Sequence, residues 1–131
     1  MPALSSVTLT DRDAATHVFV PGKEVNGVQT FRKADTNGVP IGESTLSVSL
    51  RDTPENRKVR LKLVVPQVQT ETINGIDEPK VVRRNWVDCE FTFNGKSNAA
   101  EREVLVGMFA DALTASQTML DDVIVDLQGF Y

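Results

Sequence analysis

Nine residues spaced two apart along three short segments carry the chemistry this sequence can offer: Ser47, Ser49, Arg51; Lys58, Arg60, Lys62; and Arg84, Trp86, Asp88. Residues two apart share one face of a strand. If the three segments are neighbours in order, as short connections favour, all of these side chains lie on one surface. Cations there can meet phosphates and serine hydroxyls can bond base edges. The Trp86 ring can stack on an unpaired base, an interaction worth roughly 1–3 kcal/mol per base. Asp88 would repel a phosphate unless it accepts a bond from a base or orients a neighbouring Lys or Arg. A solvated face with charge pairs such as Arg84 with Glu90 satisfies the same pattern, and the pattern alone leaves both readings open.

Catalytic chemistry finds no comparable constellation. No nucleophile stands beside a base at a usable spacing, and the sequence reads as that of a protein that is not an enzyme. Asp121-Asp122 and Glu101 with Glu103 fall on amphipathic segments as solvated charges. Asn26-Gly27-Val28 and Asn74-Gly75-Ile76 are turn signals rather than phosphate cradles. The single Cys89 cannot form an internal disulfide and reads as a small buried hydrophobe. His17 has no histidine or cysteine at ligand spacing, and Asp11, Asp13, Asp77 and Glu78 read as solvated turn residues. No metal, cofactor or small-molecule substrate is expected.

The elements that must position the polar face follow from periodicity. With 131 residues, 40% hydrophobic and 24% charged, the chain has the size and composition of one globular domain. No apolar run is long enough to suggest a membrane span, and the start Met1-Pro2-Ala3-Leu4 lacks the features of a signal peptide. A net charge of −4 argues against coating nucleic acid by bulk positive charge but leaves room for a local basic patch.

Val7-Thr8-Leu9-Thr10, the turn Asp11-Arg12-Asp13, and His17-Val18-Phe19-Val20 ended by Pro21-Gly22 predict an N-terminal hairpin over about 5–22. A strand follows over 28–33, broken by 37–42. In 44–51, Leu46, Val48 and Leu50 alternate with polar residues, and in 58–65, Val59, Leu61 and Leu63 oppose a wholly cationic side. The polar stretch 67–80 predicts an exposed loop. The strand over about 81–94 sets Val87, Cys89, Phe91 and Phe93 against Arg84, Trp86, Asp88, Glu90 and Thr92.

Beyond Asn94-Gly95 the period becomes helical. Asn98 can cap a helix carrying the apolar stripe Val104, Leu105, Met108, Phe109, Ala112 and Leu113. Met119, Leu120, Val123, Ile124 and Leu127 form a second stripe that Gly129 can end, so helices are expected over about 98–128. The reading is an α+β domain spanning 1–131: a hairpin, a five-stranded antiparallel sheet over about 28–94, and two C-terminal helices. Open sheet edges and terminal helices in need of a surface also point to a dimer.

Several runs are recognisable in order and spacing. They are Asn26-Gly27-Val28, the stretch 38–44, Ser49-Leu50-Arg51, Glu55-Asn56-Arg57-Lys58, Lys62-Leu63-Val64-Val65-Pro66, 70–75 with Pro79, Arg84-Asn85-Trp86-Val87-Asp88, and the ending Gly129-Phe130-Tyr131. Together they resemble the coat proteins of the small icosahedral single-stranded RNA bacteriophages, the leviviruses, and look closest to those of phages infecting through plasmid-encoded pili. The resemblance implies an interlocked homodimer with a continuous ten-stranded sheet. It implies assembly of dimers in the bacterial cytoplasm into a T=3 icosahedral shell, helices outward and sheet face toward the genomic RNA. It also implies that this face binds a stem-loop operator, repressing translation and marking the RNA for packaging.

Position by position, Val28, Ser47, Ser49, Arg60 and Lys62 match the family's pocket for an unpaired adenine. Trp86 matches a tyrosine that stacks on a loop base, and Asp88 and Glu90 match strand positions that discriminate operators. Arg51, Asn56 and Lys58 match phosphate and stem contacts, and 67–80 matches a loop that gathers at the symmetry axes. Arg60 stands where a small hydroxyl residue is familiar, Trp86 replaces the tyrosine, and the turn between Arg51 and Asn56 is one residue short. A free dimeric RNA-binding repressor that forms no shell is the competing reading.

Overall fold

In the computed structural model, which describes residues 3–34 and 40–130, Asp11 closes the first hairpin with its own side chain. Its Oδ1 accepts from the backbone N–H of Asp13 at 2.9 Å and of Ala15 at 3.0 Å, while Ala14 takes a left-handed φ of 63°. Strands β1 (Val7–Thr10) and β2 (Thr16–Val25) pair antiparallel from Val7↔Phe19 to Thr10↔Thr16.

The strand does not stop at Pro21-Gly22 as its sequence suggests. Proline lacks an N–H for the ladder, and β2 accommodates it with a register shift between Pro21 and Glu24, a bulge that lets pairing with β3 (Val28–Lys33) resume. Gln29 Nε2 donates to the Gly22 carbonyl at 2.9 Å across this irregularity. The reversal falls instead at Asn26 and Gly27, both at positive φ (52° and 79°), as a two-residue type I′ hairpin requires. Because β2 continues into pairing with β3, the sheet has six strands rather than five.

A 3₁₀ turn at Pro40–Gly42 leads into β4 (Ser44–Asp52), while Met1, Pro2, Asn37, Gly38, Val39 and Tyr131 of the sequence reading lie outside the described residues. β4 pairs with β5 (Asn56–Ile73) from Thr45↔Val64 to Asp52↔Arg57. The connection is tied by Thr53, whose N–H donates to the Asn56 carbonyl at 2.8 Å and whose Oγ1 accepts from the Asn56 N–H at 3.0 Å.

The loop expected at 67–80 is strand on both sides. β5 runs to Ile73, Asn74 (φ 53°) and Gly75 (φ 77°) make a second type I′ turn, and β6 (Ile76–Asn94) returns. Polarity on both faces of a ribbon exposed on both sides looks like a loop in sequence. Its β-branched residues and cross-strand pairs, Thr72 Oγ1 to Asp77 Oδ1 at 2.6 Å and Lys80 to Glu71 at 3.9 Å, hold it as a hairpin. The order β1-β2-β3-β4-β5-β6 leaves β6 at an edge, where Pro79 is tolerated.

The chain divides into two compact units, Met1–Thr92 and Phe93–Tyr131. In the first, Phe19 and Phe31 are the buried hydrophobic residues among those described, 3% and 7% exposed, and Phe31 pairs with Pro21 on one side and Leu46 on the other. Leu46, Val48, Val59, Leu61, Leu63, Cys89 and Phe91 are half-buried, so Cys89 is less enclosed than its pattern suggests. Leu50 and Val87, expected on the apolar side, are exposed in the single chain.

In the second unit Asn98 caps α1 (Ala99–Ala112) as its sequence predicts, its Oδ1 accepting from the Glu101 N–H at 2.9 Å. Arg102 donates back to the Ser97 carbonyl at 2.6 Å. The second helix, α2 (Thr118–Ile124), is shorter than its stripe: it ends five residues before Gly129, and Leu127 itself adopts a left-handed φ of 56°. The apolar residues Val104, Met108, Met119 and Leu127 are all exposed.

Candidate functional site

The register across β3, β4 and β5 builds the site row by row. Val28 lies opposite Ser49 and Ser49 opposite Arg60; Thr30 lies opposite Ser47 and Ser47 opposite Lys62; Arg51 lies opposite Lys58. Residues directly opposite in an antiparallel ladder share a face, so the rows stack into one polar surface. Val28, Ser47, Ser49, Arg60 and Lys62, the residues that match the family's base pocket, line a single depression of about 240 Å³. A second, of about 410 Å³, adjoins it through Val28, Ser49 and Arg60 and extends to Arg51, Lys58 and Glu90.

Strand β6 contributes the carboxylates. Arg60 Nε donates to Asp88 Oδ1 at 2.8 Å and its Nη2 donates to Asp88 Oδ2, a fork-to-fork pair. Two residues back along β5 and two forward along β6, Lys58 Nζ lies 3.8 Å from Glu90 Oε1. Glu90 therefore pairs across strands with Lys58 rather than along its own strand with Arg84. The hydrogen bonds from Arg60, with the nearby charges of Arg60 and Lys62, hold the Asp88 carboxyl below the usual carboxylate range, and Asp88 in turn raises the Arg60 guanidinium. Of the two roles open to Asp88, the structure has it orienting a neighbouring cation.

Three of the residues matched to the family line neither depression: Asp88, which reaches them through Arg60, and Trp86 and Asn56, which stand apart. Trp86 lines neither depression; it is 65% exposed on β6, two residues from Asp88, with its ring available for stacking. Asn56 closes the β4–β5 turn through its backbone and also lies outside both. Asn26 and Gly27 join the larger depression; sequence marks them as a turn, but only the register brings that turn beside Arg51 and Lys58.

His17 has partners that sequence spacing did not reveal. Its Nε2 meets Asp11 Oδ2 at 2.8 Å and its Nδ1 meets Lys33 Nζ at 2.5 Å, beside an apolar depression lined by Leu9, Phe19, Leu63 and Val65. The hydrogen bond from His17, with the Ala15 backbone N–H, lowers the Asp11 carboxyl below its ordinary value. Among the described residues no group of three or more His, Cys, Asp or Glu side chains is placed to hold a metal ion, and no helix is long and apolar enough to cross a membrane.

What this geometry offers is a donor-rich sheet face. The same fold recurs in viral shells. The virus-like particle of bacteriophage ESE058 superposes with a TM-score of 0.84, at 23% identity, over 99% of this chain and 100% of that one. The capsid protein of bacteriophage GA superposes with a TM-score of 0.80, at 22% identity, over 98% of each. These likenesses define the fold class. In sequence, the capsid protein of Pseudomonas phage PRR1 is 45% identical over 131 residues, covering 98% of each chain. The family model of the levivirus coat protein matches residues 2–131, and the chain belongs to that family. It is accordingly a structural coat protein of the virion and not an enzyme, as its sequence implied.

Proposed function

We propose that this chain works as a single coat domain that pairs into homodimers, assembles in the bacterial cytoplasm into a T=3 icosahedral shell around single-stranded RNA, and uses the polar sheet face to bind an RNA stem-loop. The observation that carries the RNA reading is the donor-rich depression formed by Val28, Ser47, Ser49, Arg60 and Lys62 across three strands. It combines an apolar side chain for a base face, hydroxyls for base edges and cations for phosphate or base acceptors. Trp86 supplies an exposed stacking ring on the neighbouring strand. Stem-loop binding at the start of a gene blocks its translation and selects the RNA that is enclosed.

Pairing into dimers is supported by the open edge at β6 and by the exposed apolar residues of α1 and α2. A partner's β6 laid against this edge would continue the sheet and satisfy its free backbone groups. The capsid identity of the PRR1 relative supports onward assembly.

Filter binding with RNA hairpins tests the assignment of the face. Lys62→Ala and Trp86→Ala are each expected to lower hairpin affinity while particles still form. Unchanged affinity in both variants would refute it.

A further inference from the structure

The donor inventory of the depression points to the base it selects. Of the five N–H donors of Arg60, Asp88 takes one from Nε and one from Nη2. The edge left over is the outer one, where Nη1 and the second Nη2 hydrogen present two parallel donors, and Arg60 lines the depression. Lys62 adds a cation on the same strand, while Ser47 and Ser49 can donate or accept. Each Asp88 oxygen accepts one bond from Arg60, which ties the carboxylate to the inner edge of the guanidinium.

We propose that this depression selects an unpaired guanine, with O6 and N7 facing Arg60, and that Asp88 is the positioning residue that holds the guanidinium edge toward it. This rests on the RNA-binding reading above. Guanine presents two adjacent acceptors on that edge, the pairing arginine makes most often with bases. Adenine presents N7 beside the N6 amino group, a donor that would meet a fixed cation. Val28 offers an apolar surface to the ring, and the volume of about 240 Å³ suits a single base.

The test uses assembled dimers and a pool of synthetic RNA hairpins carrying one unpaired stem nucleotide, randomised at that position and in the loop, and sequenced after retention on filters. Guanine is expected to be enriched about tenfold over adenine at the unpaired position, the discrimination of one bidentate contact. The guanine-to-adenine ratio should fall toward one in Arg60→Thr and shrink in Asp88→Asn. Replacing the selected guanine by 7-deazaguanine, which lacks the N7 acceptor, should weaken binding to the wild type and not to Arg60→Thr. Retained hairpins with adenine, or with no preferred base, would overturn the guanine assignment and leave the RNA-binding face standing. Retention of no hairpin at all would overturn both.

Discussion

Arg60 on β5 and Asp88 on β6 are joined through both nitrogens of one guanidinium edge, so the cation lining the depression is fixed from the neighbouring strand. The pair has a pH signature. The Asp88 carboxyl is depressed by Arg60, so its contribution to stability is fully present above the ordinary carboxylate value of about 4 and is lost as pH falls through the lower folded value. Thermal denaturation of wild type and Asp88→Asn should therefore differ by a constant amount from neutral pH down to about 4 and converge only below it. Convergence already near pH 6 would contradict the pairing.

Arg51 is expected to act on phosphate, which carries no sequence information. Arg51→Ala should weaken binding to every hairpin alike and reduce the slope of log K against log salt by about 0.7 to 0.9, the loss of one phosphate contact. Ser47→Ala removes a neutral group from the depression and should lower affinity with the slope unchanged. Titrations at several salt concentrations separate the two.

Gly75 takes a φ of 77°, and a Cβ added there would meet nothing within 4 Å. The cost of Gly75→Ala is therefore conformational, about 1–2 kcal/mol. It should appear in urea denaturation at fixed protein concentration, with hairpin affinity intact because the turn is remote in sequence from the polar face.

Asn98→Ala removes the side-chain acceptor for the Glu101 N–H and should destabilise the protein by about 1 kcal/mol per capped helix. Asn98→Asp should restore that stability, since aspartate caps as well and its charge suits a helix N-terminus. The same denaturation assay reads both.

Much of this architecture is legible in the residues. Leu46, Val48, Val59, Leu61 and Leu63 alternate with polar neighbours, and alternation of that quality specifies strand and face together. The cap at Asn98 is equally plain. What escaped reading has a physical reason in each case. The segment 67–80 is polar on both sides, so no buried face marks it as strand, and the strands are declared only by the two positive φ angles at Asn74 and Gly75. Pro21-Gly22 looks like a terminator because the bulge that accommodates it depends on pairing with β3. Leu127 ends the last turns in a conformation its side chain disfavours, which no propensity would suggest.

The site divides in the same way. Ser47, Ser49, Arg60 and Lys62 of the smaller depression could be grouped from strand order and period, while Val28 joined them only through the resemblance to the coat-protein family. The pairing of Arg60 with Asp88 and of Lys58 with Glu90 could not, because alternation places those side chains on one face without saying which cation meets which carboxylate. Those pairings are what turn a generally basic surface into one with defined free donors.

Negative-stain microscopy of the protein expressed alone in bacteria is the most direct test of a shell-forming coat protein with an RNA-binding inner face. Closed particles of uniform diameter, yielding single-stranded RNA on extraction, are the predicted result. Dimers that bind hairpins but form no particles at any protein concentration would contradict it and favour a free repressor.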